Sequence, residues 1–377
     1  MPWEEQPIVN QREEFVLRAL EPGANIAALC REAGISRKTG YKWINRFKEK
    51  GRVGLQDLSR RPRNSPLRAS GEAALQVIEL RQAHPTWGPK KLHAILLRAS
   101  DLDEVPSVRT IARIIDRAGL VKKRKRRRQP AAPTDAPNAV QAVPNDLWTV
   151  DFKGWWRTRD GRRAEPLTVR DGASRYLLCA ELMESTAGAA VRPVFERLFQ
   201  RYGLPSAIQV DNGAPFASTR SRAGLTTLSA WWVSLGIEVI RGRPGHPQDN
   251  GGHERMHLDV RYEVEDVPAD DLVAQRAAME VFRHEFNEVR PHEALDMAVP
   301  ADVYVKSTRL YRGSRPTPLR PGLDARKVNR NGYVKYRNRS VYVGTAFAGY
   351  SVHLEPIDEE TTRAWFYELD LGVVEPR

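Results

Sequence analysis

The sequence predicts a multidomain chain: an all-α N-terminal third built from tandem helix-turn-helix units, a central α/β domain with a mixed sheet, and a small C-terminal β-barrel. Three observations predict it. At 377 residues the chain exceeds the roughly 100–200 of one domain. Its first third carries helix-period apolar residues behind Ser and Asn caps, whereas short β-favouring runs take over from Asn145. After Gly322 only short strands with intervening turn residues remain, as in a small barrel.

Residues 1–57 hold three helical stretches, REEFVLRAL, NIAALCREA and SRKTGYKWINRFKEK, with Asn25 and Ser36 as caps and Ala33-Gly34-Ile35 as a tight turn. Helix, glycine turn and helix make a helix-turn-helix whose second helix, Ser36 to Phe47, enters the major groove. Arg37, Lys38, Thr39, Lys42 and Arg46 form its polar reach, and Tyr41, Ile44 and Phe47 its core face. The plainer alternative is a helical bundle with a solvated basic face. Against it, Ser36 to Arg68 holds 11 Lys or Arg and 2 acids, an imbalance that suits phosphate contact.

Residues 58–70, LSRRPRNSPLRAS from Leu58, read as a basic linker in which Arg60, Arg61 and Arg63 follow a DNA backbone or groove. Residues 71–121 repeat the helical pattern over Glu72–Ala83, Gly88–Arg98 and Ser107–Ala118, a second helix-turn-helix or a winged variant. Arg109, Arg113 and Arg117 recur along its last helix. Residues 122–144 then begin with the seven cations Lys122, Lys123, Arg124, Lys125, Arg126, Arg127 and Arg128, which repel one another until they meet phosphates. The Pro/Ala-rich stretch to Pro144 is a stiff spacer.

Residues 145–305 change character. Leu147–Trp156, Leu167–Asp171 and Tyr176–Met183 read as successive strands, followed by helix Ala187–Arg201, strand Ala207–Val210, helix Thr226–Leu235 and strand Ile237–Ile240. Asp151 and Asp211 fall at strand ends, on neighbouring central strands if the first and fourth pair. The stretch HPQDNGGHERMH from His246 to His257 places a third acid, Glu254, on a helix behind Asn250 as cap and the Gly251-Gly252 pair. The same residues spell HExxH, a zinc-peptidase pattern in which His253 and His257 bind Zn²⁺ and Glu254 is the general base, with Glu280 or Glu285 as a further ligand. Residues 323–377 complete the chain, with Asn331-Gly332 as a hairpin signal.

Composition narrows the partner. Lys and Arg number 60 against 47 Asp and Glu, giving a net charge of +13 and a pI near 9.8. That surplus suits a polyanion, nucleic acid before a membrane surface. No apolar run approaches the ~18 residues of a spanning helix, and the N-terminus has no signal-peptide pattern. Cys30 and Cys179 read as buried thiols of a reducing compartment.

Four segments, WTVDFKG around Asp151, VDNGAPF around Asp211, RPGHPQDNGGHER around Glu254 and FNEVRPHEAL followed by PADVY, resemble the bacterial insertion-sequence transposases whose core is similar to retroviral integrase and ribonuclease H. Tandem helix-turn-helix units ahead of such a core also fit. The resemblance implies a ribonuclease H-like core with Asp151, Asp211 and Glu254 as a DDE triad, and a protein found with the nucleoid in the bacterial cytoplasm. Two departures stand out: the Asp211–Glu254 interval is longer than the family's commonest, with Ser218–Gly224 as the insertion, and His253 sits where an apolar residue is usual.

The chemistry agrees with that implication. Phosphodiester transfer needs a deprotonated attacking oxygen and a stabilised leaving 3′-oxygen, which two Mg²⁺ ions, or Mn²⁺ in their place, supply. Hard cations take carboxylates as ligands, and clustered acids repel one another without them. Asp151 is expected to bridge the two ions, with Asp211 on one and Glu254 on the other. Arg243 and Arg255 are candidate DNA contacts, with His246, Gln248 and Asn250 near the scissile phosphate, whereas Arg290 and His292 are expected to tie a helix to the core. Bringing two element ends together requires at least a homodimer on double-stranded DNA. A non-catalytic regulator or an inactive derivative remains the alternative, and it leaves the three acids unexplained.

Overall fold

The computed structural model describes residues 8–58, 69–121, 142–243, 250–318, 320–358 and 361–374. The chain divides into two compact units, Met1–Arg68 and Ala69–Arg377, so the second helical group shares a unit with the central sheet. Arg60, Arg61, Arg63, the run Lys122–Arg128, His246 and Gln248 lie outside the described residues.

The first unit is three helices, α1 Ile8–Ala19, α2 Ile26–Glu32 and α3 Arg37–Lys50. Asn25 and Ser36 cap as expected, each accepting a hydrogen bond from the third backbone N–H beyond it at 3.2 Å. Phe15, Val16, Cys30, Trp43, Ile44 and Leu55 make the core. At Gly40 a side chain would run into the Cys30 sulfur 2.5 Å away, so α2 and α3 cross closely only because that residue is glycine. The expected core face is corrected here: Tyr41 is 50% exposed, and Trp43 takes the buried position beside Ile44.

In the second unit, α4 Gly71–Ala83, α5 Pro89–Ala99 and α6 Val108–Arg117 pack around Val77, Trp87, Leu92 and Ile111. No strand accompanies them among the described residues from 69 to 121, so the winged variant is not the form seen. Ion pairs join these helices to residues near the end of the central domain: His84 to Glu285 at 2.9 Å, Lys90 to Glu293 at 2.9 Å and Arg98 to Asp302 at 2.7 Å.

The central strands are β1 Leu147–Phe152, β2 Trp156–Arg157, β3 Arg163–Ala164, β4 Pro166–Asp171, β5 Leu177–Leu182, β6 Ala207–Val210 and β7 Glu238–Arg241. Five form a mixed sheet in the order β5-β4-β1-β6-β7, antiparallel among the first three and parallel beyond. The expected long first strand breaks at Gly154, whose φ of 90° glycine tolerates, and its remainder becomes the separate β2–β3 hairpin. Helices α7 Gly188–Tyr202 and α8 Thr227–Ser234 cover one face through Phe195, Phe199, Trp231 and Trp232. On the other side α9 Gly251–Val260 and α10 Leu272–His284 pack Met256, Val260, Met279 and Phe282 against Trp156, Leu177 and Leu182. Each of these two helices runs on into a π turn, Arg261–Glu265 and Glu285–Val289, and the short α11 Pro300–Val303 follows.

The C-terminal strands are β8 Asp324–Lys327, β9 Tyr333–Tyr336, β10 Arg339–Tyr342, β11 Ser351–Pro356, β12 Thr362–Phe366 and β13 Leu369–Val374. Instead of a closed barrel, they form two open sheets, β13-β12-β11-β8 and β10-β9, around one core that includes Phe347, Leu354 and Phe366. The two-residue hairpin is Arg337-Asn338, both at positive φ, while Asn331-Gly332 sits in the longer connection before β9. Ser218–Gly224 supplies the docking point for this region. Arg222 donates to the Val373 carbonyl of β13 at 2.9 Å, and Leu225 and Ala230 join the same apolar core.

Candidate active site

Asp151 and Asp211 come level because β1 and β6 run parallel with Thr149 opposite Gln209, and each acid lies two residues beyond that pair. Asp151 is half-buried within β1 and Asp211 is exposed just past β6. Gly213 N–H donates to Asp211 Oδ1 at 3.2 Å, and the Asn212 amide donates to the Gly242 carbonyl at 2.7 Å, fastening this loop to the end of β7. Glu254 stands on the exposed side of α9, in its first turn. Asn250 precedes the helix without a side-chain cap bond, contrary to its expected capping role.

The three acids feel one another. Burial, then the Asp211 charge, and further on the Glu254 charge raise the Asp151 carboxyl from its ordinary range to about 7. Among the described residues, no three His, Cys, Asp or Glu side chains converge tightly enough to form a ready metal cage. The donor set is nonetheless the right one for a hard cation: three carboxylates, one of them kept partly protonated near neutrality by burial and then by its neighbours.

This arrangement has a measurable consequence. An acid whose folded pKa lies above its unfolded value loses stability as pH rises through the folded value, so ionised Asp151 strains the fold above pH 7 and not below about 4. Asp151→Asn should therefore be more stable than the natural chain at pH 8.5 in EDTA, by on the order of 1–3 kcal/mol after allowance for partial exposure. The difference should shrink by pH 4.5 and narrow on adding Mg²⁺. Urea unfolding at both pH values checks it; equal stabilities throughout would place Asp151 outside a crowded acidic site.

The HExxH pattern does not make a zinc site. His253 is buried with both ring nitrogens occupied, Nδ1 by the Thr149 hydroxyl at 2.8 Å and Nε2 by the Thr168 hydroxyl at 2.7 Å. His257 Nε2 meets the same Thr168 oxygen at 2.9 Å. Burial holds His253 well below the usual imidazole range, and burial with nearby Lys153 brings His257 to about 4. The His257 Nδ1 contact to Asp151 Oδ2 at 3.9 Å is thus between a neutral ring and a carboxyl group, not an ion pair. Glu280 and Glu285, the suggested further ligands, pair with Arg283 and His84.

The FNEVRPHEAL segment is scaffold. Asn287 accepts from Leu177 N–H at 2.7 Å and donates to Leu177 O at 3.0 Å, closing the edge of β5 as a neighbouring strand would. Arg290, 1% exposed, reaches Asp259 at 2.8 Å and also binds Glu263. His292 Nε2 lies 3.3 Å from the Phe286 carbonyl, and burial first, then Lys91, lowers it to about 3. Arg290 thus ties the turn after α10 to α9, Asn287 ties it to β5, and His292 holds the segment to its own Phe286 carbonyl. Sequence reading missed Thr149, Thr168 and Asn287; an alternating strand with Thr facing a helix that carries two His was the available signal for the first two.

Of the expected DNA contacts, Arg37, Lys38 and Lys42 are exposed on α3 and Thr39 and Arg46 half-exposed. Lys42 and Arg46 lie over the Trp43 ring at 4.6 and 5.1 Å. Arg109 and Arg113 are exposed on α6. Arg255 is exposed on α9 and reaches Asp259 at 3.4 Å, and Arg243 is half-buried just beyond β7.

Comparison with known proteins follows this geometry. Residues 141–247 and 235–300 each match an integrase core domain, residues 11–63 a helix-turn-helix domain and residues 39–115 a homeodomain-like domain. The insertion element IS476 39.2 kDa protein of Xanthomonas euvesicatoria, itself uncharacterized, is 29% identical over 262 residues, 68% of this chain and 71% of that one. The uncharacterized 31.7 kDa protein of insertion element IS407 from Burkholderia multivorans is 26% identical over 234 residues, 62% of this chain and 80% of the relative. Among solved structures, the catalytic core domain of BIV integrase aligns at 21% identity and a TM-score of 0.32, over 42% of this chain and 93% of that one. Fold and matches together define an integrase-core protein with helix-turn-helix domains ahead of the core. The chain is similar to insertion-element proteins and itself matches the integrase core.

Proposed function

We propose that the protein is the transposase of its element: it binds the element's ends, cleaves them to free 3′-OH groups and joins these to target DNA. What supports this reading is the parallel β1–β6 register that sets Asp151 beside Asp211, together with burial and the Asp211 and Glu254 charges that raise the Asp151 carboxyl. In this reading those three would hold two Mg²⁺ ions, or Mn²⁺ in their place. The cations, when bound, assist deprotonation of the attacking oxygen and stabilise the leaving 3′-oxygen. The chain's own part is placement: the β1–β6 register sets the two aspartates side by side, and α9 brings Glu254 to them. No Tyr or Ser nucleophile is required, since water attacks first and the freed 3′-OH second.

The exposed cations of α3 and α6 are assigned to DNA ends, with the basic segments containing Arg60, Arg61, Arg63 and Lys122–Arg128 following the backbone. Arg243 and Arg255 are placed near the scissile phosphate. Two ends must be held together, so the working form is at least a dimer on double-stranded DNA, in the bacterial cytoplasm with the nucleoid. The domain limits proposed from sequence, 1–57, 71–121, 145–305 and 323–377, follow the same division of labour. No helix among the described residues is long and apolar enough to cross a membrane.

The test is incubation of the purified chain with a labelled duplex of its own element end in Mg²⁺, Mn²⁺, Zn²⁺ or EDTA. Nicked and joined products in Mg²⁺ and Mn²⁺, absent in EDTA, are expected. Specific binding without products in any metal would instead support a regulator or inactive derivative.

A further inference from the structure

The two histidines of the HExxH pattern have no part in the reaction just described, yet their hydrogen bonds meet at one atom. Thr168 Oγ1 lies 2.7 Å from His253 Nε2, 2.9 Å from His257 Nε2 and 2.9 Å from the Asp151 carbonyl oxygen, to which it donates. A hydroxyl has one proton and two lone pairs. The carbonyl can only accept, so the proton goes there and each imidazole donates from Nε2 into one lone pair. His253 Nδ1 is then an acceptor for the Thr149 hydroxyl at 2.8 Å, and His257 Nδ1 keeps a bare lone pair 3.9 Å from Asp151 Oδ2. This arrangement gives the Thr168 hydroxyl all three of its bonds, and the Thr149 proton goes to His253 Nδ1 at 2.8 Å in preference to the Arg170 carbonyl at 3.4 Å.

We propose that Thr168 is a positioning residue, whose hydroxyl fixes the helix carrying Glu254 against the strand carrying Asp151 by way of His253 and His257. Thr168 stands directly opposite Asp151 in the β1–β4 register, and His253 is the residue before Glu254. Among the described residues the entry of α9 is weakly held in itself, because Gly251-Gly252 favours helix poorly and Asn250 makes no side-chain cap bond. The location of Glu254 therefore depends on the neighbour that is tied down.

The inference rests on the triad reading, and two independent measurements test it. The first is the ¹⁵N spectrum of the imidazoles in the full-length protein, which needs no activity. Both His253 and His257 should be neutral Nε2–H tautomers with protected protons, and Thr168→Val should disturb both. An Nδ1–H tautomer for either ring in the natural chain overturns the junction. The second is single-turnover cleavage of an element-end duplex in Mg²⁺. Thr168→Val should slow it roughly 10–100-fold, the scale of a displacement of about 1 Å in a reacting group, with end-binding affinity unchanged. Thr168→Ser, which keeps the hydroxyl, should restore most of the rate. Equal cleavage by the Val variant overturns the positioning role, as does a parallel loss in the Ser variant. A natural chain with the expected tautomers that cleaves in no metal refutes the catalytic reading and the positioning role with it, leaving the hydrogen-bond assignment intact.

Discussion

Asp211→Ala should abolish cleavage and joining of element ends while leaving end binding nearly unchanged. A loss of at least about 10³-fold, roughly 4 kcal/mol of barrier, is expected for removal of one carboxylate of three. The separation of the two readouts follows from position. Asp211 is exposed at the end of β6, its carboxylate accepts from the Gly213 N–H of its own loop, and the cations assigned to DNA ends stand on α3 and α6. Nothing in the sheet depends on the carboxylate, so stability should hold. Gel-shift and product analysis on one duplex distinguish the cases: unchanged cleavage would remove Asp211 from the chemistry, and equal loss of binding would make it a structural residue.

Arg290→Met should produce the largest loss of stability. The guanidinium is buried between Asp259 and Glu263 on α9 and its π turn, and lies 5.6–5.8 Å from the Phe286, Phe282 and Trp87 rings. Removing it leaves Glu263 without its cation and Asp259, 6% exposed, with only the longer contact to Arg255 at 3.4 Å. Breaking a buried pair from one side costs about 3–5 kcal/mol, whereas replacing all partners together is often neutral. The triple change Arg290→Met, Asp259→Asn and Glu263→Gln should accordingly recover much of what the single change loses. Denaturant unfolding of the full chain measures both, and a single-variant loss below about 1 kcal/mol would show that the acids find other partners or water.

Much of this architecture was legible in the sequence because its signals are local. Ser36, Ser107 and Thr226 cap helices within one turn, and the apolar alternation of LWTVDF and PLTVRD marks strands without reference to anything distant. The expected helical N-terminal region and mixed central sheet are what the chain forms. Misreadings arose where tertiary contacts choose between local options. Tyr41 and Trp43 are both aromatic and two apart on α3, and only the position of α1 decides which is covered. Arg337-Asn338 forms the tight hairpin turn although Asn331-Gly332 has the stronger local preference, because the pairing of Tyr336 with Arg339 fixes the turn between them. The HExxH letters were ambiguous for the same reason: whether an imidazole is a ligand depends on what faces it, and here the two threonines come from strands remote in sequence. At the site, the candidate acids could be named from flanking motifs, but their mutual influence required the β1–β6 register.

The stretch Ser218–Gly224 also shapes the mechanics of the loop that begins with Asp211. A surface loop of that length, held only at its ends, would sample many shapes, and its first residue would share in that freedom. Here the span is pinned at two further places, by the Asn212 amide on Gly242 at one end and by the Arg222 guanidinium on Val373 near the other. The C-terminal sheet thus acts as an external brace on the active-site rim. A load placed on that sheet, by DNA or by a second protomer, bears on the Asp211 loop through Arg222 and the apolar packing of Leu225.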